Sequence, residues 1–295
     1  MEIRRMCEKI AYFGPGGNSE DFIRCGYSSS LDAPAYVHSL GLNAYEYEAG
    51  NGLSASMGLL TLIGNEAEKM KIKMSYHTPY FISLSGIVPE KRLNSIRYIE
   101  QSLSAAKCLG ATTIVVHCGS CAKISREEAM YLSKDTLYRA LDTLDTFGIK
   151  IGIETMGKQN QLGTLDEVID ICKMDKSLVP VVDFGHLNAR DLGGVFRNSD
   201  DYRRVFNKIG EELSDDVAKN LHCHFSKIEW TDKGEKKHLT FDDTVYGPDF
   251  EPLIDAISEG SLTPTVICES AGTQSRDASA MMKYYREKIK RGIYV

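Results

Sequence analysis

Short apolar runs rich in β-branched and aromatic residues alternate along the chain with longer stretches whose apolar positions recur every three to four residues. The short runs are Cys7–Phe13, Asn43–Tyr47, Lys73–Tyr76, Thr113–Val116, Lys150–Ile153, Val179–Val182, Asn220–Phe225 and Thr265–Cys268, and they predict strands. Helical periodicity is clearest in Pro89–Leu109, Arg126–Phe147, Leu165–Met174, Asp201–Ile209 and Asp277–Ile289. Gly110, Gly148 and Gly260 fall between helix and strand, as C-terminal helix caps do. Pro89 opens its helix, and Thr164 with Glu167 reads as a capping box. Strand and helix alternate about eight times with no Ser/Gly-rich linker, which predicts one α/β domain over residues 1–295, a (β/α)8 TIM barrel. A doubly wound open sheet is the competing architecture, but it would gather its ligands at one switch point. No internal repeat, phosphate loop or dinucleotide fingerprint is present, and Gly14-Pro-Gly-Gly17 reads as a turn.

Composition supports a single large core, with 42% hydrophobic and 26% charged residues in 295. The 35 Lys+Arg against 41 Asp+Glu give a formal charge of -6, which excludes a strongly basic molecule while leaving room for local basic patches. Eight Cys are scattered, mostly in apolar runs such as Thr265-Val-Ile-Cys-Glu269, and read as buried thiols in a reducing compartment. No run approaches the ~18 apolar residues of a membrane span, and no apolar signal core follows Arg4-Arg5, so a cytoplasmic protein with no membrane partner is expected.

The chemistry lies at the strand ends. His77 follows the third strand, His117 the fourth, Glu154 the fifth and Asp183 the sixth; His222 lies in the seventh, and Glu269 ends the eighth. In a barrel these positions converge on the C-terminal rim. His186 lies three residues past Asp183, and His238 lies in the long segment after the seventh strand. A carboxylate ending an apolar strand, as in Lys150-Ile-Gly-Ile-Glu154, is costly to bury unless a cation or donors meet it. Three carboxylates and several imidazoles around one cavity suit borderline divalent ions, with Zn2+ favoured by the imidazole share and Mn2+ the alternative. Two or more such ions fit phosphodiester hydrolysis by activated water, and no nucleophile-elbow motif competes.

His77-Thr-Pro-Tyr-Phe81, Val115-Val-His-Cys-Gly119, Ile153-Glu-Thr155, Val182-Asp-Phe-Gly-His186, His222-Cys-His-Phe-Ser-Lys227 and Val266-Ile-Cys-Glu269 occur in this order on successive strands. Together they resemble the endonuclease IV family of apurinic/apyrimidinic endonucleases, within the xylose-isomerase-like barrels. The resemblance runs from about Tyr76 to Glu269. It implies three zinc ions, monomeric action on damaged double-stranded DNA, and hydrolysis of the phosphodiester 5′ to an abasic nucleotide. Under it His77, His117 and Glu154 hold the first ion. Glu154 bridges to a second, held also by Asp183, His222 and Glu269. His186 and His238 join an Asp two residues before His238 for a third.

Lys236 stands at that Asp position, so two ions are expected, while Glu235, Glu229, Asp232 and His224 are candidates to compensate at the third. Lys236 is alternatively a cation facing the phosphate, which would place it with Glu154 and Glu269 in the catalytic set. Tyr80-Phe81 matches the pair that inserts at the lesion, and Lys227 is the basic residue singled out for phosphate. Tyr47-Glu-Ala-Gly-Asn-Gly52 supplies no DNA-probing side chain. The competing function is a single-metal sugar isomerase or epimerase of the same superfamily, using Glu154, Asp183, His222 and Glu269.

Overall fold

The computed structural model describes residues 10–292. Its strands and helices, in chain order, are β1 Tyr12–Pro15, α1 Glu20–Arg24, α2 Ala33–Ser39, β2 Ala44–Glu48, α3 Met57–Met70, β3 Lys73–His77, α4 Pro89–Leu109, β4 Thr113–His117, α5 Arg126–Thr143, β5 Lys150–Glu154, α6 Leu165–Cys172, β6 Leu178–Asp183, α7 Phe184–Arg190, α8 Ser199–Glu212, α9 Asp215–Lys219, β7 His222–Phe225, β8 Lys227–Thr231, β9 Gly234–Leu239, α10 Glu251–Glu259, β10 Thr265–Cys268 and α11 Gln274–Gly292. Eight strands form one parallel sheet in the order β1-β10-β7-β6-β5-β4-β3-β2. The β1–β2 seam is closed by Gly17 N donating to the Glu46 carbonyl at 2.9 Å, Asn43 N to the Phe13 carbonyl at 3.1 Å, and Phe13 N to Asn43 Oδ1 at 2.7 Å. Gly14 permits that approach, since a Cβ there would lie 1.7 Å from the Ala44 carbonyl oxygen. The expected (β/α)8 barrel is the observed fold. The first predicted strand begins at Cys7, outside the described residues, and its described part starts at Tyr12.

Several strands run a residue further than their apolar pattern, so that His77, His117, Glu154 and Asp183 are themselves the last residues of β3, β4, β5 and β6. The Thr164–Glu167 capping box is present, and Gly110 closes α4 in the left-handed region at φ 66°. Gly260 is the C-cap of α10, in the right-handed region at φ −80°, whereas α5 stops at Thr143 and Gly148 does not cap it. The hairpin β8–β9 stands on the C-terminal side of the barrel, after β7.

Candidate metal centre

Three clusters of donor atoms meet at the C-terminal mouth. In each, the ligand atoms lie within 4.8 Å of one another: His77, His117 and Glu154; Glu154, Asp183, His224 and Glu269; and His186, Glu235 and His238. Glu154, 1% exposed, belongs to two of them. His117 Nε2 lies 3.1 Å and His77 Nε2 3.6 Å from Glu154 Oε2, while His224 Nδ1 lies 2.9 Å from Glu154 Oε1.

The backbone sets the imidazole tautomers. His77 Nδ1 donates to the Thr78 carbonyl and His186 Nδ1 to the Thr155 carbonyl, each at 2.9 Å, which turns both Nε2 atoms toward the mouth. Asp183 caps α7 by accepting from His186 N on Oδ1 at 2.7 Å. Its Oδ2 is buried without a hydrogen-bond partner, and the buried Glu154 Oε2 has only the imidazole edges of His117 and His77 beside it. Unpartnered buried carboxylate oxygens among imidazoles are the donor set that a divalent cation satisfies, so these residues fit zinc or a similar ion.

The site's charges are strongly interdependent. Burial would raise the Glu154 carboxyl, but the imidazoles of His224, His117 and His77 hold it well below the ordinary range. Burial pushes Glu269 up to about 8 and Glu48 up to about 7. Burial opposes protonation of His77, yet Glu48 and Glu154 bring it up to about 10. In the same way Asp183 and Glu235 outweigh burial and bring His186 up to about 9.

Two residues occupy places the sequence did not assign them. His224, not His222, faces Glu154, Asp183 and Glu269, because in the β6–β7 register His224 is the residue opposite Asp183. His222 is opposite Val181, two residues deeper, and its Nε2 lies 3.0 Å from Glu46 Oε2. That register was the missing signal: of two imidazoles on one strand face, the one level with the neighbouring strand's end reaches the rim. Lys236 is exposed on the hairpin and turned to Glu229, 2.6 Å away. The carboxylate near His186 and His238 is Glu235, whose Oε2 is 3.5 Å from His186 Nε2. A register irregularity at Glu229/Trp230 offsets the hairpin pairing. Glu46 and Glu48, on β2, were not anticipated either; with Glu269 they form a further set of close carboxylates.

Several basic side chains near the rim are engaged in structure. Lys227 is buried, with Nζ 2.6 Å from the Asp243 carbonyl and 3.0 Å from Asp249 Oδ1. Arg190 donates to the carbonyls of Met156 and Lys158, and Arg126 to those of Gln159 and Gln161, bracing the loop after β5. Tyr80 and Phe81 are 60% and 50% exposed at the mouth, and that exposure leaves them free to contact a ligand. Tyr80 lies beside His77 and His117 with ring centroids 5.4 and 5.6 Å away. The loop after β2 is Gly-rich because Tyr80 lies on it: a Cβ on Gly50 would fall 2.2 Å from the Tyr80 ring. Between this loop, Glu48, Tyr80, His238 and Glu269 opens a cavity of about 460 Å3.

The family model described as "Xylose isomerase-like TIM barrel" matches residues 34–288. The chain belongs to this family. Among curated relatives of this xylose isomerase-like barrel, an uncharacterised protein of Methanocaldococcus jannaschii is 29% identical over 253 residues, 85% of this chain and 90% of the relative. The protein named "Probable endonuclease 4" of Acholeplasma laidlawii is 28% identical over 204 residues, 62% of this chain and 69% of its own. Among solved structures, a D-tagatose 3-epimerase-like protein is similar with TM-score 0.70 and 17% identity, covering 96% of this chain and 99% of that one. Endonuclease IV from Thermus thermophilus gives TM-score 0.62 and 15% identity, covering 95% and 99%. At these identities the structural likeness speaks for the fold. Family and donor clusters together describe a xylose isomerase-like TIM barrel whose mouth carries buried His, Glu and Asp side chains able to chelate a divalent metal. Among the described residues no helix is long and apolar enough to cross a membrane.

Proposed function

We infer that the barrel is a multinuclear metal-dependent hydrolase of phosphodiesters, with abasic DNA as its substrate. The observation that carries this reading is the number of donor clusters. A single-metal enzyme needs only Glu154, Asp183, His224 and Glu269, whereas this mouth adds His77 and His117 on one side and His186, Glu235 and His238 on the other. The relatives named endonuclease 4 agree with it. Divalent ions held by these residues would supply Lewis acidity and lower the pKa of water. The chain's own residues then have separable tasks. Glu154 links two clusters, the backbone-anchored His77 and His186 aim Nε2 at the mouth, where a bound ion would replace its proton, and Tyr80 and Phe81 would offer an aromatic surface to an unpaired nucleotide.

A second reading, a sugar epimerase, has its own support. The epimerase-like neighbour exceeds the endonuclease in fold similarity, TM-score 0.70 against 0.62. Glu48 and Glu269 also line the same cavity, with burial raising both carboxyls toward neutrality, as proton exchange beside a sugar requires. One comparison separates the two. Metal-replete protein is incubated with a duplex carrying a tetrahydrofuran abasic analogue, and in parallel with a panel of ketoses. Nicking that leaves a 3′-hydroxyl, absent in Glu154→Gln, supports the hydrolase. Ketose interconversion without nicking replaces it with the epimerase.

A further inference from the structure

A second cavity, of about 400 Å3, opens between the loop after α7, strand β8 and residues 245–249, and the proposed reaction does not use it. Trp230, the only tryptophan in the chain, is half-buried there, and its ring meets that of Tyr246 at 5.7 Å and 89°, so the two aromatic side chains form a corner. The floor carries no side chain: Gly193 and Gly194 hold φ 88° and 77°, where glycine is favoured, and a Cβ on Gly193 would fall 3.0 Å from Trp230 Cζ2. Arg197 is exposed, with Nη2 3.0 Å from where a Cβ on Gly194 would stand, and it makes no ion pair among the described residues. The carboxylate in the wall, Asp249, is already met by Lys227 at 3.0 Å, so the guanidinium is the unbalanced charge. Asn188, only 3% exposed, accepts from Val195 N on Oδ1 at 3.2 Å, and its Nδ2 makes no hydrogen bond to a described residue.

An aromatic corner, a buried amide N–H with no partner and an unbalanced guanidinium together suit a flat ring that bears carbonyl oxygens and is joined to an anion. A nucleotide has that chemistry. The elements that build the third donor cluster also build this cavity: Trp230 pairs across the hairpin with Glu235, whose carboxylate reaches His186, and Asn188 follows His186 by two residues on α7. Residues two apart on a helix project to nearly opposite sides, so the cavity lies beside the mouth and not within it. We propose that it is a site for one unpaired nucleotide of a DNA strand held at the mouth, with the base against Trp230 and Tyr246, a base carbonyl on Asn188 Nδ2 and the phosphate on Arg197. The inference rests on the hydrolase reading for the strand, and on the cavity alone for the nucleotide.

Because Trp230 is the sole tryptophan, its fluorescence reports on this cavity directly. The test titrates the zinc-replete full chain with thymidine 5′-phosphate, with a short thymidine oligonucleotide, and with deoxyribose 5-phosphate, which can reach metals but carries no base. Both thymidine ligands should quench the fluorescence saturably, the oligonucleotide at lower concentration, and deoxyribose 5-phosphate should not. Tyr246→Ala should weaken the quenching ligands about fivefold or more, and Arg197→Ala, at an exposed position that folding does not depend on, about tenfold. Glu154→Gln, which disables the mouth, should leave the affinity for thymidine 5′-phosphate within about twofold, since the cavity is separate from the donor clusters. No quenching by either thymidine ligand, equal quenching by deoxyribose 5-phosphate, or unchanged affinity in Arg197→Ala overturns the proposal. Nicking of an abasic duplex without such quenching removes the cavity and keeps the hydrolase. Quenching as expected from a protein that nicks no duplex keeps the nucleotide site and removes the hydrolase.

Discussion

Gly157 and Glu235 meet edge to edge at the barrel mouth. The Glu235 amide donates to the Gly157 carbonyl at 3.0 Å, and a Cβ on Gly157 would lie 2.6 Å from the Cβ of Glu235. The missing side chain on the loop after β5 lets hairpin β8–β9 close down until Glu235 reaches His186. Gly234 adds to this closeness, because a Cβ there would sit 2.2 Å from the Gly157 carbonyl oxygen. Gly157→Ala should therefore push the hairpin outward at a cost of about 1–3 kcal/mol. Under the multinuclear reading, the ion expected at His186, Glu235 and His238 should be lost while the others stay. Elemental analysis checks this, and unchanged stoichiometry would show that the hairpin position is not what delivers Glu235.

Glu235 and Lys236 are adjacent in sequence and opposite in expected effect. Glu235→Gln removes a carboxylate from the third donor cluster and should lower third-ion occupancy at micromolar zinc. Lys236→Ala removes an exposed partner of Glu229 and should change neither occupancy nor turnover by more than about twofold, as exposed pairs contribute little. A larger loss from the lysine variant would return it to the catalytic set.

Glu154 belongs to two clusters, so its charge should be needed by both. Glu154→Gln should remove at least two ions per chain and reduce hydrolysis by two orders of magnitude or more. Mass spectrometry under non-denaturing conditions reads the first effect. Retention of full metal content would disprove the bridging role.

The pH dependence of stability has one source outside the donor clusters. Glu167 accepts from Gly163 N at 2.8 Å, Thr164 N at 3.0 Å and Arg126 Nη2 at 2.9 Å. Burial would raise its carboxyl, but the Arg126 guanidinium and the two amides hold it below the ordinary range. A depressed carboxyl stabilises the fold above its unfolded value, about 4.3, and that contribution disappears as pH falls through the folded value. The stability gap between wild type and Glu167→Gln, from urea unfolding of chelated protein, should thus be full at pH 6 and shrink toward pH 3. A gap that does not vary with pH would contradict this account.

Tyr80, beside the imidazoles, and the neighbouring Phe81 are both exposed, and under the proposed hydrolase reading they would contact the lesion. Replacing both by Ala should weaken binding of an abasic duplex about tenfold or more while leaving metal content intact. Fluorescence anisotropy with a catalytically silent metal content would measure it. Equal binding of intact and abasic duplex by wild type would remove the aromatic pair from that role.

The barrel was legible because its causes are local. Apolar runs of four to six residues between amphipathic helices, with caps such as Thr164–Glu167 and Gly110, define eight β–α units, and their alternation admits few closures. Polar residues ending apolar strands were legible for the same reason. His77, His117, Glu154 and Asp183 interrupt patterns that otherwise continue, and each now ends its strand.

What sequence could not decide is which of two nearby residues reaches the rim, since that depends on register between strands distant in the chain. His222 and His224 share a strand face, and only the pairing of His224 with Asp183 ranks them. Glu235 and Lys236 differ by one position on a hairpin whose irregular pairing and docking on Gly157 choose between them. Glu46 carries no sequence signal of its place in the barrel, because its neighbours come from β3 and β7 and meet it only inside the closed barrel. Strand-end chemistry is written locally; the identity of the residue that performs it is fixed by contacts across the barrel, which form only when the sheet closes.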